Sequence, residues 1–191
     1  ILFITTFGRV YSLKGYEIPD AGRTAKGIAI VNLLQLQPEE KVATMIPITG
    51  FDDGKYLVIA TKSGIIKKTE LKAYSNMRKG GLIAVELRDE DELINAHLVD
   101  EDQDIMMVTR KGMSIRFNEK DVRATGRDSI GVKGITLRED DYVISMDICK
   151  PGDSILIVTE KGFGKRTDVE EYRPQTRGGK GLLTYKISEK T

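Results

Sequence analysis

Apolar positions along this chain fall in short continuous quartets and lack the 3.6-residue spacing of a helix face. Four quartets are each followed by Thr, two variable residues and Gly. They read ILFITTFG at 1–8, LVIATKSG at 57–64, IMMVTRKG at 105–112 and ILIVTEKG at 155–162. The closing glycines, Gly8, Gly64, Gly112 and Gly162, are 56, 48 and 50 residues apart. A second anchor is a Gly followed six residues later by Leu or Ile: Gly27 with Leu33, Gly81 with Leu87, Gly131 with Leu137, Gly181 with Ile187. It trails the first anchor by 19, 17, 19 and 19 residues. Two anchors that hold phase four times define a repeat of about 50 residues. The repeats run approximately over 1–54, 55–103, 104–153 and 154–191, within one domain.

The quartets are too short for helices and rich in Ile, Leu, Val and Met, so the unit is β. A quartet, a Gly that supplies positive φ and a new alternating run form a hairpin. The return strands begin at Arg9, Ile65, Met113 and Phe163. A loop leads to the second Gly and another strand, such as IAIVNLLQL at 28–36 or LIAVEL at 82–87. Acidic turns follow, and a last strand closes each unit, as in VATMIPI at 42–48 or YVISMDI at 142–148. Four strands per unit, repeated four times, predict an all-β propeller-like array in an open arc. No segment carries a helical pattern. The absence of Trp excludes the WD type of blade.

The formal net charge of +1 hides a second periodicity. The segments 8–27, 64–81, 112–131 and 162–181 hold 18 Lys or Arg against 9 Asp or Glu, a net +9. The remainder carries a net −8. Equivalent segments of a circular repeat face equivalent directions, so the cations form a belt. A curved belt of cations suits the phosphate backbone of duplex DNA, whose contacts add up, depend on salt and read no sequence. Solvation of an outer face, or a propeller scaffold for protein partners, accounts for the same charges without DNA.

Chemistry beyond binding finds no support. His97 is the only histidine and Cys149 the only cysteine, so there is no metal-ligand spacing and no intramolecular disulfide, which fits a reducing cytoplasm. Carboxylates stand in runs at turns. No Walker-type phosphate loop, signal peptide or run of 18 apolar residues occurs. The chain opens without Met, and the expectation is a fragment of something longer.

The stretch GRVYSLKGYEIPDAGRTAKGIAIVNLL at 8–34 resembles the C-terminal domain family of the DNA gyrase A protein. SIGVKGITL at 129–137 and KGFGKRTDVEEY at 161–172 are similar to later blades of the same domain. The resemblance covers essentially the whole chain. The corresponding protein of topoisomerase IV shares the fold, and the run at 8–34 is closer to gyrase.

The resemblance implies a β-pinwheel whose blades exchange strands and whose rim wraps duplex DNA without sequence preference. It implies a module supporting ATP-dependent negative supercoiling by a bacterial, cytoplasmic, chromosome-associated holoenzyme. That assembly is an A2B2 heterotetramer of the gyrase A and gyrase B proteins, and the fragment alone is a monomer. The module would not be an enzyme by itself, would bind no membrane and would hold no cofactor; ATP and Mg belong to other parts. The family also carries a box of Gln, basic, Arg, Gly, Gly, basic, Gly. Gln175-Thr176-Arg177-Gly178-Gly179-Lys180-Gly181 matches six of its seven positions, with Thr176 departing. The family's box lies in the first blade, and the first repeat here looks like the second. The expectation is therefore a box-like loop in a later blade, with the first and last blades outside the fragment. The residues expected to meet DNA are the hairpin cations Arg9, Lys14, Lys67, Lys68, Arg116, Lys165 and Arg166. The loop cations Arg23, Lys26, Arg78, Lys79, Arg127, Arg177 and Lys180 join them, with Gly178 and Gly179 offering backbone N–H groups.

Overall fold

A computed structural model describes residues 1–51 and 54–191. It contains three four-stranded antiparallel sheets and one hairpin, and no α-helix among the described residues. The first unit contributes β1 (Leu2–Thr5), β2 (Arg9–Ser12) and β3 (Val42–Ile46). The second contributes β4 (Tyr56–Thr61), β5 (Ile65–Glu70), β6 (Leu82–Ile83) and β7 (Leu93–Val99). The third contributes β8 (Asp104–Thr109), β9 (Met113–Asn118), β10 (Val132–Lys133) and β11 (Val143–Cys149). The fourth contributes β12 (Ser154–Val158), β13 (Gly164–Asp168) and β14 (Leu182–Leu183).

Each repeat begins with the expected hairpin. At its tip the amide of Gly8, Gly64, Gly112 or Gly162 donates to the carbonyl of the Thr three residues earlier. The hydroxyl of that Thr then accepts the amide of the residue after the Gly, at 3.3, 3.3, 3.2 and 3.2 Å in the four units. The repeated Thr and Gly are thus two halves of one turn.

Sheet order explains the rest of the period. It is β3-β1-β2-β6, then β10-β5-β4-β7, then β11-β8-β9-β14. The outermost strand of each complete sheet comes from the next unit. Val10 pairs with Leu82, Ile66 with Val132 and Ser114 with Leu182. These exchanged strands are only two residues long, shorter than the sequence suggests. Beyond them the chain bends inward, where the carbonyls of Gly8, Gly64 and Gly112 accept amides from residues 84–85, 134–135 and 184–185. The segment 28–36 departs from its expected strand. Among the described residues no earlier hairpin pairs with it, and residues 30–32 make a 3-10 turn that leaves Ile28 and Val31 exposed.

Both faces of the interior sheets are covered, hence the unbroken apolar quartets. Leu57 and Ile59 pack with Leu2, Ile4 and Val10 of the first sheet. Their neighbours Val58 and Ala60 pack with Ile105, Met107 and Ile115 of the third. Met106 and Val108 turn instead to Val169 and Tyr172 of the fourth unit.

The glycine pair is the steric condition for exchange. Gly64 (φ +85°) and Gly131 (φ +98°) flank the two-residue β5–β10 seam at its opposite ends. A Cβ on Gly64 would stand 3.0 Å from the Ile135 carbonyl oxygen, and one on Gly131 2.6 Å from that of Ile66. Gly131→Ala is therefore expected to cost about 3 kcal/mol, from positive φ plus the clash. Gly27→Ala keeps a positive φ, +71°, but meets no described atom within 4 Å, so it should cost about 1 kcal/mol. Urea unfolding of the two variants checks the ordering.

Candidate nucleic-acid interface

The structure divides the expected cations into three groups. Lys67 and Lys68 are the first correction, because both are buried, at 1% and 7% exposure. In register they face Ile59 and Val58, a strand covered on both sides, so the strand beside it is covered too. Alternation sends the two lysines to opposite neighbours. Lys67 Nζ donates to the carbonyls of Ala84, at 2.7 Å, and of Arg127. Lys68 Nζ donates to the Glu119 carboxylate and, at 3.1 Å, to its backbone carbonyl. Arg116 holds the place of Lys68 one unit on. It pairs with Asp104 at 2.7 Å and donates to the carbonyls of Val169, at 2.8 Å, and Tyr172, at 3.1 Å. These three side chains bind one unit to the next and are not on the surface. The signal available in the sequence was their position opposite a continuous apolar quartet.

A second group is shared between clasp and surface. Arg9 donates to the Gly80 carbonyl, Arg127 Nη1 to Ile83 O at 3.4 Å, and Arg177 to Asp121 O at 2.7 Å and Lys133 O at 3.1 Å. All three are half-buried. The loop 175–181 is fixed to the third unit in the same way. The Gly178 amide donates to Gly134 O at 2.6 Å, and the Gly178 and Gly179 carbonyls accept from Thr136. The Gly178 N–H is therefore already engaged, which corrects the expectation that it is free for phosphate.

The third group is exposed: Lys14, Arg23, Lys26, Arg78, Lys79 and Lys180 on loops, and Lys165 and Arg166 on β13. Lys165 and Arg166 occupy the places of Lys67 and Lys68 and are uncovered because no further unit among the described residues lies over β13. Arg78 and Lys79 precede the exchanged strand β6 and Lys180 precedes β14, whereas Lys14, Arg23 and Lys26 lie on the loop between β2 and the unpaired segment 28–36. Lys133 joins them. It is exposed on the outermost strand β10, and the charge periodicity missed it because it falls two residues past the segment that ends at Gly131.

The other candidate groups carry no reactive arrangement. Burial, helped by Asp147, pushes the Cys149 thiol up to about 11. His97 Nε2 lies 3.5 Å from Asp147 across the β7–β11 seam. Among the described residues no three metal-ligating side chains cluster, and no helix is long and apolar enough to cross a membrane.

A family model described as the DNA gyrase C-terminal domain, beta-propeller, matches residues 1–49, 55–100, 103–150 and 153–190. The chain belongs to that family. The DNA gyrase A protein of Clostridium acetobutylicum is 61% identical over the whole chain, which spans 23% of that protein's length. A crystal structure of the C-terminal domain of DNA topoisomerase IV superposes with TM-score 0.88 at 30% identity, over 95% of this chain and 57% of that one. A structure of the DNA gyrase A C-terminal domain gives TM-score 0.83 at 32% identity, over 99% and 61%. The strand-exchanged sheets are thus the gyrase-family β-pinwheel expected from the sequence.

Within this gyrase-family domain the buried lysines make two separable predictions. Lys68→Met strands the Glu119 carboxylate in the interior and should cost about 3–5 kcal/mol, whereas Lys79→Met on the rim should cost under about 0.5. Desolvation lowers Lys67 from its ordinary 10.5 to about 8, with Arg127 adding to the fall and Asp128 and Glu86 opposing it. Between those two values the unfolded chain holds a proton that the folded chain has lost. Raising the pH from 8 to 10.5 therefore favours the folded state at this site. Unfolding free energies across that window should rise for the wild type relative to Lys67→Met; a pH-independent difference would contradict the assignment.

Proposed function

We propose that this chain binds duplex DNA through its outer edge, without reading sequence, and bends it around the rim. The observation that carries the reading is the recurrence of exposed cations in successive units, Lys14, Arg23 and Lys26 on a loop of the first, Arg78 and Lys79 on a loop of the second, Lys133 on the edge strand of the third and Lys180 on a loop of the fourth. Charges spaced along a curved edge match a bent backbone, and each neutralised phosphate adds counterion release. Many such interactions offset the few kcal/mol that bending a short duplex costs. The cations buried between units hold the edge in its curve and leave the loop cations to meet the phosphates.

Membership of the family sets this edge within a larger machine. In our reading the domain wraps the segment of DNA that a bacterial gyrase passes through a second duplex, supporting ATP-dependent negative supercoiling. Breakage, ATP and Mg are handled by the rest of the gyrase A protein and by the gyrase B protein, in an A2B2 assembly in the cytoplasm. The 61% identity to a gyrase A protein, against 30% to the topoisomerase IV domain, favours gyrase. A scaffold for protein partners would bind with a shallow dependence on salt.

The test is duplex binding titrated against salt. Steep, sequence-independent binding is expected. Replacing Arg78, Lys79 and Lys180 together by Glu should weaken unrelated duplexes equally. It should also flatten the log–log slope by about 0.9 for each phosphate no longer neutralised. Absence of binding at low salt, or a loss confined to one sequence, would overturn the reading.

A further inference from the structure

The junction between the first and second sheets and the junction between the second and third have the same backbone design, shifted by 50 residues. At the first, the loop before β10 reaches β6: Arg127 donates to Ile83 O and the Glu86 amide to Ser129 O at 3.3 Å. At the second, the loop before β14 reaches β10: Arg177 donates to Lys133 O and the Thr136 amide to Gly179 O at 2.8 Å. Their surface charge differs in kind. Lys133 and Lys180 are exposed beside Arg177, and Ile83 and Ile130 hold the same two places beside Arg127. Thr136 and Gly178 at the second junction correspond to Glu86 and Asp128 at the first, both of them exposed. Arg123 and Arg173 stand exposed at equivalent places, so they do not distinguish the two.

A buried charge accounts for the carboxylates. Lys67 of β5 enters the first–second junction, where its Nζ donates to Ala84 O and Arg127 O. The equivalent residue of β9 is Ile115, which lies in the apolar core between the second and third sheets. Lys67, Glu86 and Asp128 line one shallow depression of the surface. Burial favours loss of the Lys67 proton, and Asp128 and Glu86 oppose that loss. An ammonium withdrawn from water gains from opposite charge nearby. Ile115 has no such need, and Thr136 and Gly178 are uncharged. The tie between the first and second sheets is thus accompanied by two carboxylates facing solvent, where the next junction presents two lysines. A phosphate brought to the first junction meets both carboxylates against the half-buried Arg127. At physiological salt their repulsion is screened beyond about 8 Å, so it acts on this junction alone.

We propose that Glu86 and Asp128 interrupt the cationic rim, so that a bound duplex is held at the second–third junction and stands off at the first–second. This inference rests on the DNA reading above and maps where the contact lapses. The duplex is gripped in separate holds, with no continuous track beneath it. Arg127 keeps its bond to Ile83 O and takes no phosphate.

The test labels the full-length protein with and without a short duplex at low salt. Carbodiimide coupling to an amine marks exposed carboxylates, acetylation marks exposed lysines, and peptide mass spectrometry reads both. Lys133 and Lys180 should lose most of their labelling when duplex is added, while Glu86 and Asp128 keep theirs. Carboxylates protected together with the lysines overturn the interruption and leave the DNA reading standing. Lysines left unprotected overturn both. A second arm rebuilds the first–second junction as its neighbour. Lys67→Ile, Glu86→Thr and Asp128→Gly together copy the residues at 115, 136 and 178, so the fold should tolerate them, which a melting curve checks. This variant should bind duplex more tightly, with a log–log salt slope steeper by about 0.9 as Arg127 takes up one phosphate. Unchanged affinity and slope in the folded variant overturn the interruption; if the variant does not fold, the labelling of the wild type decides.

Discussion

A sheet edge left open is the constraint around which this fold is built. Every hairpin here ends in an outer strand whose unpaired amides and carbonyls invite pairing. In each of the three complete sheets the chain closes that edge with two residues borrowed from the following unit, Leu82–Ile83, Val132–Lys133 or Leu182–Leu183. At the two ends of the seam the backbones approach too closely for a Cβ, so both glycine anchors are dictated by one seam. Once the seam forms, the borrowed segment turns inward, and its Ala84 and Val85, or Ile135, complete the core between adjacent sheets. Curvature, core and rim loops follow from that loan.

The cations obey a division that the seam creates. Where a hairpin is covered on both faces, a lysine or arginine on it must find carbonyls or a carboxylate in the next unit, or leave a charge stranded. Lys67, Lys68 and Arg116 meet that demand and become ties between units. On the loops that carry the chain to the borrowed strand, water remains available and the charges stay solvated. Arg127 and Arg177 stand between the two regimes. Their planar guanidinium can give one edge to a carbonyl and hold further donors outward in a fixed fork, a geometry that a lysine's compact ammonium does not impose. The loop 175–181 shows the same compromise, because its glycines serve the seam and its Lys180 serves the surface.

The repeat, the hairpins and the β class were legible in the sequence because they rest on local chemistry: the Thr–Gly turn and the apolar quartet. What local chemistry left hidden, and only the family resemblance implied, was that the second Gly strand pairs with a neighbouring unit. Sequence order places LIAVEL inside the second repeat, and only the tertiary pairing of Leu82 with Val10 assigns it to the first sheet. The misplacement of Lys67 and Lys68 follows from that gap. Counted within their own unit they lie on an outer strand, and the neighbours that bury them come from residues 84, 119 and 127. Arg9, by contrast, reads the same either way, since it is only half withdrawn.

The loan of strands also governs how such a protein can change length over generations. A stretch of one repeat duplicated in frame brings one lender and one borrower, whichever phase the copying begins in. Every new seam then repeats one already tested, whether that bracketed by Gly64 and Gly131 or that bracketed by Gly112 and Gly181. Loss of a stretch of the same size restores the pairing just as cleanly. A partial copy, by contrast, strands a lender without a borrower, much as residues 28–36 stand here with Ile28 and Val31 uncovered. Blade number is thus free to drift in whole steps, and inheritance of the ring is quantised by a two-residue strand.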